Sequence, residues 1–128
     1  MSRGVGIVGC GLIGQKRAKA LAGARLVGCA DLVRERADAL ARTVPGAEAT
    51  DDWRALVARA DLEVVVVATT NESLTEIARG AVEAGKHVLV EKPAARSVGE
   101  LDSLIAAAAR QRRLVRVGFN HRFHPAMR

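Results

Sequence analysis

Aromatic residues are nearly missing from this 128-residue chain, which has one tryptophan, two phenylalanines and no tyrosine. Its core must come from Val, Leu, Ile and Ala, and little is left to stack on bases. That argues against nucleic acid as a partner, despite a formal charge of +6 and a pI near 10.3. The arginines are scattered along helices and form no basic tract. Their densest group, Arg110, Arg112 and Arg113, falls at an expected helix C-terminus, where cations favour the dipole; the basic surface also suits an anionic ligand. Cysteine is limited to Cys10 and Cys29, without metal or redox spacing. This excludes a disulfide scaffold and leads us to expect two structural thiols in a reducing, cytoplasmic setting. No apolar run approaches the ~20 residues needed to cross a bilayer. The chain enters a strand almost at once, so no signal peptide is expected.

What is present is alternation. Apolar runs at 5–8, 25–30, 47–50, 62–68, 87–91 and 114–119 read as strands, with amphipathic segments between them. Val64-Val65-Val66-Val67 is apolar throughout, as suits a central parallel strand covered on both faces. Leu74, Ile77, Ala78, Ala81 and Val82 recur at helical spacing, with Asn71 as the expected N-cap and Gly85 as the stop. A capping-box pattern, Ser97-Val98-Gly99-Glu100, opens another helix, with Leu101, Leu104, Ile105 and Ala108 on one face. Such alternation implies right-handed crossovers and an α/β doubly wound parallel sheet of six strands in the order 3-2-1-4-5-6. A ligand crevice is expected at the carboxyl ends of strands 1 and 4.

At that crevice the residues carry chemistry. The first strand runs into Gly9-Cys10-Gly11-Leu12-Ile13-Gly14, and Asp31 ends the second strand twenty positions after Gly11. Gly9 suits a tight turn, Gly11 a close approach to a pyrophosphate, and Gly14 close packing of helix on strand. The helix opening here aims unpaired N–H groups and its positive dipole end at phosphate. Asp31 is placed to accept hydrogen bonds from an adenosine ribose, which favours NAD, while Arg34 and Arg36 leave NADP open. At the end of the fifth strand, Glu91-Lys92-Pro93 puts a lysine where it can hold a cofactor or substrate oxygen. A plain salt bridge between strand and loop is the alternative there.

Gly9-x-Gly11-x-Ile13-Gly14, Glu91-Lys92-Pro93 after Ala84-Gly85-Lys86-His87-Val88, and Gly118-Phe119-Asn120-His121-Arg122-Phe123 together resemble the glucose–fructose oxidoreductase/inositol dehydrogenase/MocA family. The resemblance implies an NAD(P)-dependent oxidoreductase acting on sugars, cyclitols or related compounds. It implies a Rossmann domain over residues 1–124, with residues 125–128 opening a truncated α/β substrate domain that often makes the oligomer contacts. Carried over by position, Gly9, Gly11, Leu12, Ile13 and Gly14 would cradle the pyrophosphate, and Asp31 would bind the ribose. Ala68, Thr69, Thr70 and Asn71 would line the cofactor. Glu91, Lys92 and Pro93 would stand by the nicotinamide ribose, with Lys92 as the catalytic residue, and Asn120 and Arg122 would border the nicotinamide end. Two departures count. Leu74 stands where many relatives have histidine, and the family's Asp-x-x-x-His pair belongs to the second domain. His121 and His124 are expected in a loop role and not as metal ligands.

The resemblance thus implies the cofactor-binding part of a dehydrogenase for a small sugar-like substrate, with a homo-oligomeric full-length protein and neither nucleic acid nor membrane as partner. A non-catalytic nicotinamide-dinucleotide sensor or interaction module is the alternative, because it needs cofactor binding without lysine chemistry.

Overall fold

The computed structural model describes residues 4–19, 21, 23–69, 71–91 and 98–118. Strands β1 (Gly4–Val8), β2 (Arg25–Ala30), β3 (Glu48–Thr50), β4 (Val64–Val67), β5 (His87–Glu91) and β6 (Val115–Gly118) alternate with helices. The helices are α1 (Leu12–Lys19), α2 (Arg34–Ala41), α3 (Trp53–Val57), α4 (Asn71–Glu83) and α5 (Val98–Gln111). The strands form one parallel sheet in the order β3-β2-β1-β4-β5-β6, as the alternation predicts. Val8 pairs with Ala30 on one side and Val67 on the other, and Val67 pairs with Val90. The carboxyl ends of the central strands therefore finish level, and the strand order reverses between β1 and β4, where a crevice opens.

The two-residue side-chain period of a strand divides the core into two layers. Val65 and Val67 join Leu74, Ile77, Ala78, Ala81 and Val82 of α4, with Leu104 and Ala107 of α5. Val66, one residue out of phase, joins Ile7, Cys29, Ala37 and Leu40 on the opposite face. Each layer is aliphatic, as the scarcity of aromatics requires.

The apolar runs extend past the ladders at several ends. Leu62 is buried but lies in a turn, its N–H donating to Arg59 O at 3.4 Å, so β4 begins at Val64 and not at 62. Similarly β3 begins at Glu48 and β6 at Val115. Helix α4 includes Asn71, the expected cap, as its first residue, so the helix begins one position earlier than expected. It stops ahead of Gly85, whose φ of +86° suits a residue without Cβ.

Ile105 corrects the sequence reading. It is 57% exposed, whereas Ala107 is fully buried. Leu104 and Ala107 are the line along which α5 meets the core, and one residue further round, about 100° on the helix, turns Ile105 to solvent. The arginines at the end of α5 are engaged with the end of α4. Arg113 Nε donates to Gly85 O at 2.7 Å, beyond the end of α4, and Arg110 pairs with Glu83 at 2.8 Å. Arg112, with φ of +54°, makes the turn that brings the Arg113 N–H to Ala108 O at 3.0 Å.

Candidate functional site

The turn after β1 is built by backbone crowding. Gly9 has φ of +97°, donates its N–H to Ala30 O at 2.8 Å, and leaves no room for a side chain, since a Cβ would lie 2.5 Å from Ala68 O. A Cβ on Gly14 would lie 1.9 Å from Gly9 O, so only glycine lets α1 sit directly on the turn. Gly11 is different: a Cβ there would meet nothing within 4 Å among the described residues. Its open side belongs to a cleft of about 540 Å³ across the carboxyl ends of β1, β2 and β4.

Asp31 locks this loop to β2. Its Oδ2 accepts the Cys10 N–H at 2.7 Å and its Oδ1 accepts the Val33 N–H at 2.8 Å. Each carboxylate oxygen keeps capacity for a further donor. The Asp31 N–H donates to Thr50 O at 3.2 Å, which brings the end of β3 alongside. Cys10 and Cys29 are buried free thiols, donating to Ala30 O at 3.4 Å and Ala37 O at 3.3 Å. The adjacent Cys29 thiol, together with burial, pushes the Cys10 thiol well up, so it is a poor nucleophile.

Gly9, Gly11, Asp31, Ala68 and Thr69 all line the cleft. Ile13 sits half-buried in the first turn of α1, away from the cleft wall. Glu91 ends β5 and is buried, with Oε2 accepting from Arg17 Nε of α1 at 2.6 Å. That contact with Glu91 raises the Arg17 pKa. Thr70, Lys92, Pro93, Asn120, His121, Arg122 and His124 lie outside the described residues, as do the side chains of Leu12 and Asn71.

Sequence reasoning missed several contributors. Leu32, Val33 and Arg36 follow Asp31 into the cleft, and Asp51, Trp53, Ser73, Glu76 and Ile77 complete its lining. Arg17 carried no local signal, being separated from Glu91 by 74 positions. Of the two arginines near Asp31, Arg34 is paired with Asp38 at 3.1 Å along α2 and only Arg36 lines the cleft. Among the described residues, no group of three or more His, Cys, Asp or Glu could hold a metal ion, and no helix is long and apolar enough to cross a membrane.

Comparison with known proteins agrees with this geometry. Residues 3–119 match the model of the GFO_IDH_MocA oxidoreductase family, NAD-binding Rossmann fold. The chain is 39% identical over 129 residues to an inositol 2-dehydrogenase of Gluconacetobacter diazotrophicus, covering 96% of this chain and 38% of that protein. It is 34% identical over 135 residues to a levoglucosan dehydrogenase of Pseudarthrobacter phenanthrenivorans, covering 96% of this chain and 34% of the relative. Its fold superposes with a TM-score of 0.91 on the crystal structure of GenD2, from gentamicin A biosynthesis, in complex with NAD, at 32% identity over 98% of this chain and 37% of that one. The chain thus spans little more than a third of the length of the proteins it matches. An open glycine turn, an aspartate locked to it at the end of β2, and a family match across nearly all of the sequence converge: this chain belongs to the glucose–fructose oxidoreductase/inositol dehydrogenase/MocA oxidoreductase family, as its NAD-binding Rossmann domain.

Proposed function

We propose that this chain is the cofactor-holding part of an NAD-dependent dehydrogenase whose substrate is a sugar, cyclitol or related polyol. The observation that carries this reading is the open side of Gly11, in a turn where Gly9 and Gly14 are hemmed in by backbone. A pyrophosphate fits that space, beside the N–H groups that open α1. Gly9, Gly11 and Gly14 form the cradle with the backbone of Leu12 and Ile13, and Asp31 takes the adenosine ribose. Ala68, Thr69, Thr70 and Asn71 line the adjoining wall. Glu91, Lys92 and Pro93 serve the nicotinamide ribose, and Asn120 and Arg122 the nicotinamide end.

Bound nicotinamide supplies hydride transfer chemistry. Lys92 holds the substrate oxygen and shares or moves its proton. The remaining acid–base group and the substrate pocket come from a second α/β domain beginning near residue 125, so this chain binds cofactor and turns over poorly. NAD is preferred to NADP, because among the described residues Asp31, Asp51 and Glu76 line the cleft against the single Arg36 and a 2′-phosphate meets repulsion. The complete protein is a cytoplasmic homo-oligomer that works on a small molecule, without nucleic acid or membrane.

A thermal melt of the chain with NADH or NADPH tests the reading. Cofactor at about 100 times its Kd adds ~2.7 kcal/mol, which raises the midpoint by several degrees. A melt indifferent to both overturns the proposal. For the activity, the chain joined to the second domain of the inositol 2-dehydrogenase relative is expected to reduce NAD+ with one of a panel of polyols. Turnover unchanged by Lys92→Ala in that chimera would favour a non-catalytic role for the lysine.

A further inference from the structure

Trp53 is the only tryptophan, and its place is set by the end of β3. Thr50 Oγ1 accepts the Asp52 N–H at 3.1 Å, and the Asp52 carboxylate accepts the Arg54 N–H at 3.0 Å, capping α3 with Trp53 as its first residue. Since the Asp31 N–H donates to Thr50 O at 3.2 Å, Trp53 enters the cleft at the end where β2 and β3 finish, beside the ribose aspartate and away from β5. The indole is held there. A Cβ on Gly80 would lie 2.6 Å from both Cη2 and Cζ3 of the ring, so α4 accepts the ring edge only because residue 80 is glycine. The Arg54 guanidinium lies 4.5 Å from the ring centroid, and Arg54 is itself 3.7 Å from Glu76, another cleft residue.

Trp53 packs partly on the buried core, yet it also lines the cleft together with Ile77, Leu32 and Val33. Leu32 is 88% exposed and Val33 44%, although both are apolar and flank the Asp31 carboxylate. Apolar side chains bordering one cleft, one of them aromatic and fixed, with a carboxylate beside them, match a planar base joined to a ribose. We infer that Trp53 forms the wall against which the adenine of the dinucleotide rests. The inference rests on the proposed dinucleotide site and goes further by giving the base end a specific residue.

The test is calorimetric titration of the chain with NADH and with ADP-ribose, alongside Trp53 fluorescence. ADP-ribose carries adenosine, the pyrophosphate and the second ribose but no nicotinamide, so any change it causes in the emission arises without the nicotinamide ring. The expected results are an emission change with ADP-ribose, and about tenfold weaker binding of both ligands in Trp53→Leu, with Trp53→Phe recovering much of the loss. Gly80→Ala, which pushes on the ring from behind, is expected to weaken ADP-ribose binding without touching the ligand. Tight binding of both ligands to the wild-type chain with unmoved emission overturns the inference and leaves the dinucleotide site standing. So does unchanged affinity in Trp53→Leu. Absence of calorimetric binding by either ligand overturns the dinucleotide site itself, and the inference falls with it.

Discussion

Arg17 and Glu91 are joined by a 2.6 Å ion pair that ties α1, the helix opening at the glycine turn, to the last residue of β5, immediately before Lys92. The Glu91 side chain is only 10% exposed and that of Arg17 28%, so the carboxylate has little water to replace a lost partner. Arg17→Met is expected to cost ~1–3 kcal/mol in a urea titration, somewhat below a fully buried pair because Arg17 is partly hydrated. Adding Glu91→Gln is expected to recover part of that loss. A single variant as stable as wild type would show that the pair contributes nothing.

The three glycines of the turn are expected to separate stability from binding. Gly14→Ala drives a Cβ into Gly9 O, a backbone atom, and should lower both the melting midpoint and NADH affinity, at ~1–3 kcal/mol of stability. Gly11→Ala meets no atom within 4 Å among the described residues, so its midpoint without ligand should match wild type while NADH affinity falls at least tenfold. Equal NADH affinity in Gly11→Ala would place the phosphates elsewhere.

Asp31 holds the loop by two hydrogen bonds and is proposed to select the cofactor, and one substitution should reveal both. Asp31→Ser removes a carboxylate that accepts two backbone N–H groups, so the chain should lose ~1–3 kcal/mol of stability. It also removes a negative charge from the cleft that Arg36 lines, so the ratio of NADPH to NADH affinity should rise by tenfold or more. Calorimetry with both cofactors checks this, and an unchanged ratio would remove Asp31 from cofactor choice.

Lys86 predicts a dependence on pH. Its Nζ is held by Arg59 O at 2.6 Å and Leu62 O at 2.7 Å in a buried position, and burial lowers its pKa from the usual 10.5. A neutral amine has two N–H groups, enough for both carbonyls. In the window between the lowered folded value and 10.5 the unfolded chain binds more protons than the folded one, so this group makes stability rise with pH there. Urea titrations across that window should show wild type gaining on Lys86→Met as pH rises; a constant difference would contradict the assignment.

Much of the architecture is local enough to read directly. Alternating apolar runs with helical stripes between them admit few topologies, because parallel crossovers have one hand, and the order of six strands follows. The stripe of Leu74, Ile77, Ala78, Ala81 and Val82 is buried as its spacing requires. The glycine turn and Asp31 are legible for the same reason, since each part acts within one strand–turn–helix unit or at the level end of a neighbouring strand.

What the tertiary structure alone decided depends on register and on how layers meet. Helical spacing put Ile105 on the same face as Leu104, but the line of contact with the sheet passes along Leu104 and Ala107 and leaves it exposed. Lys86 is buried because the turn between α3 and β4 presents two carbonyls to it, which no local pattern around residue 86 shows. Trp53 becomes a cleft residue only because β3 ends beside β2 and α4 has a glycine where the ring must go. Arg17 meets Glu91 across 74 positions because β1 and β5 flank β4 in a parallel sheet while α1 covers one face. Periodicity encodes which side of an element is apolar; which side chains then touch is set by the packing of elements distant in sequence.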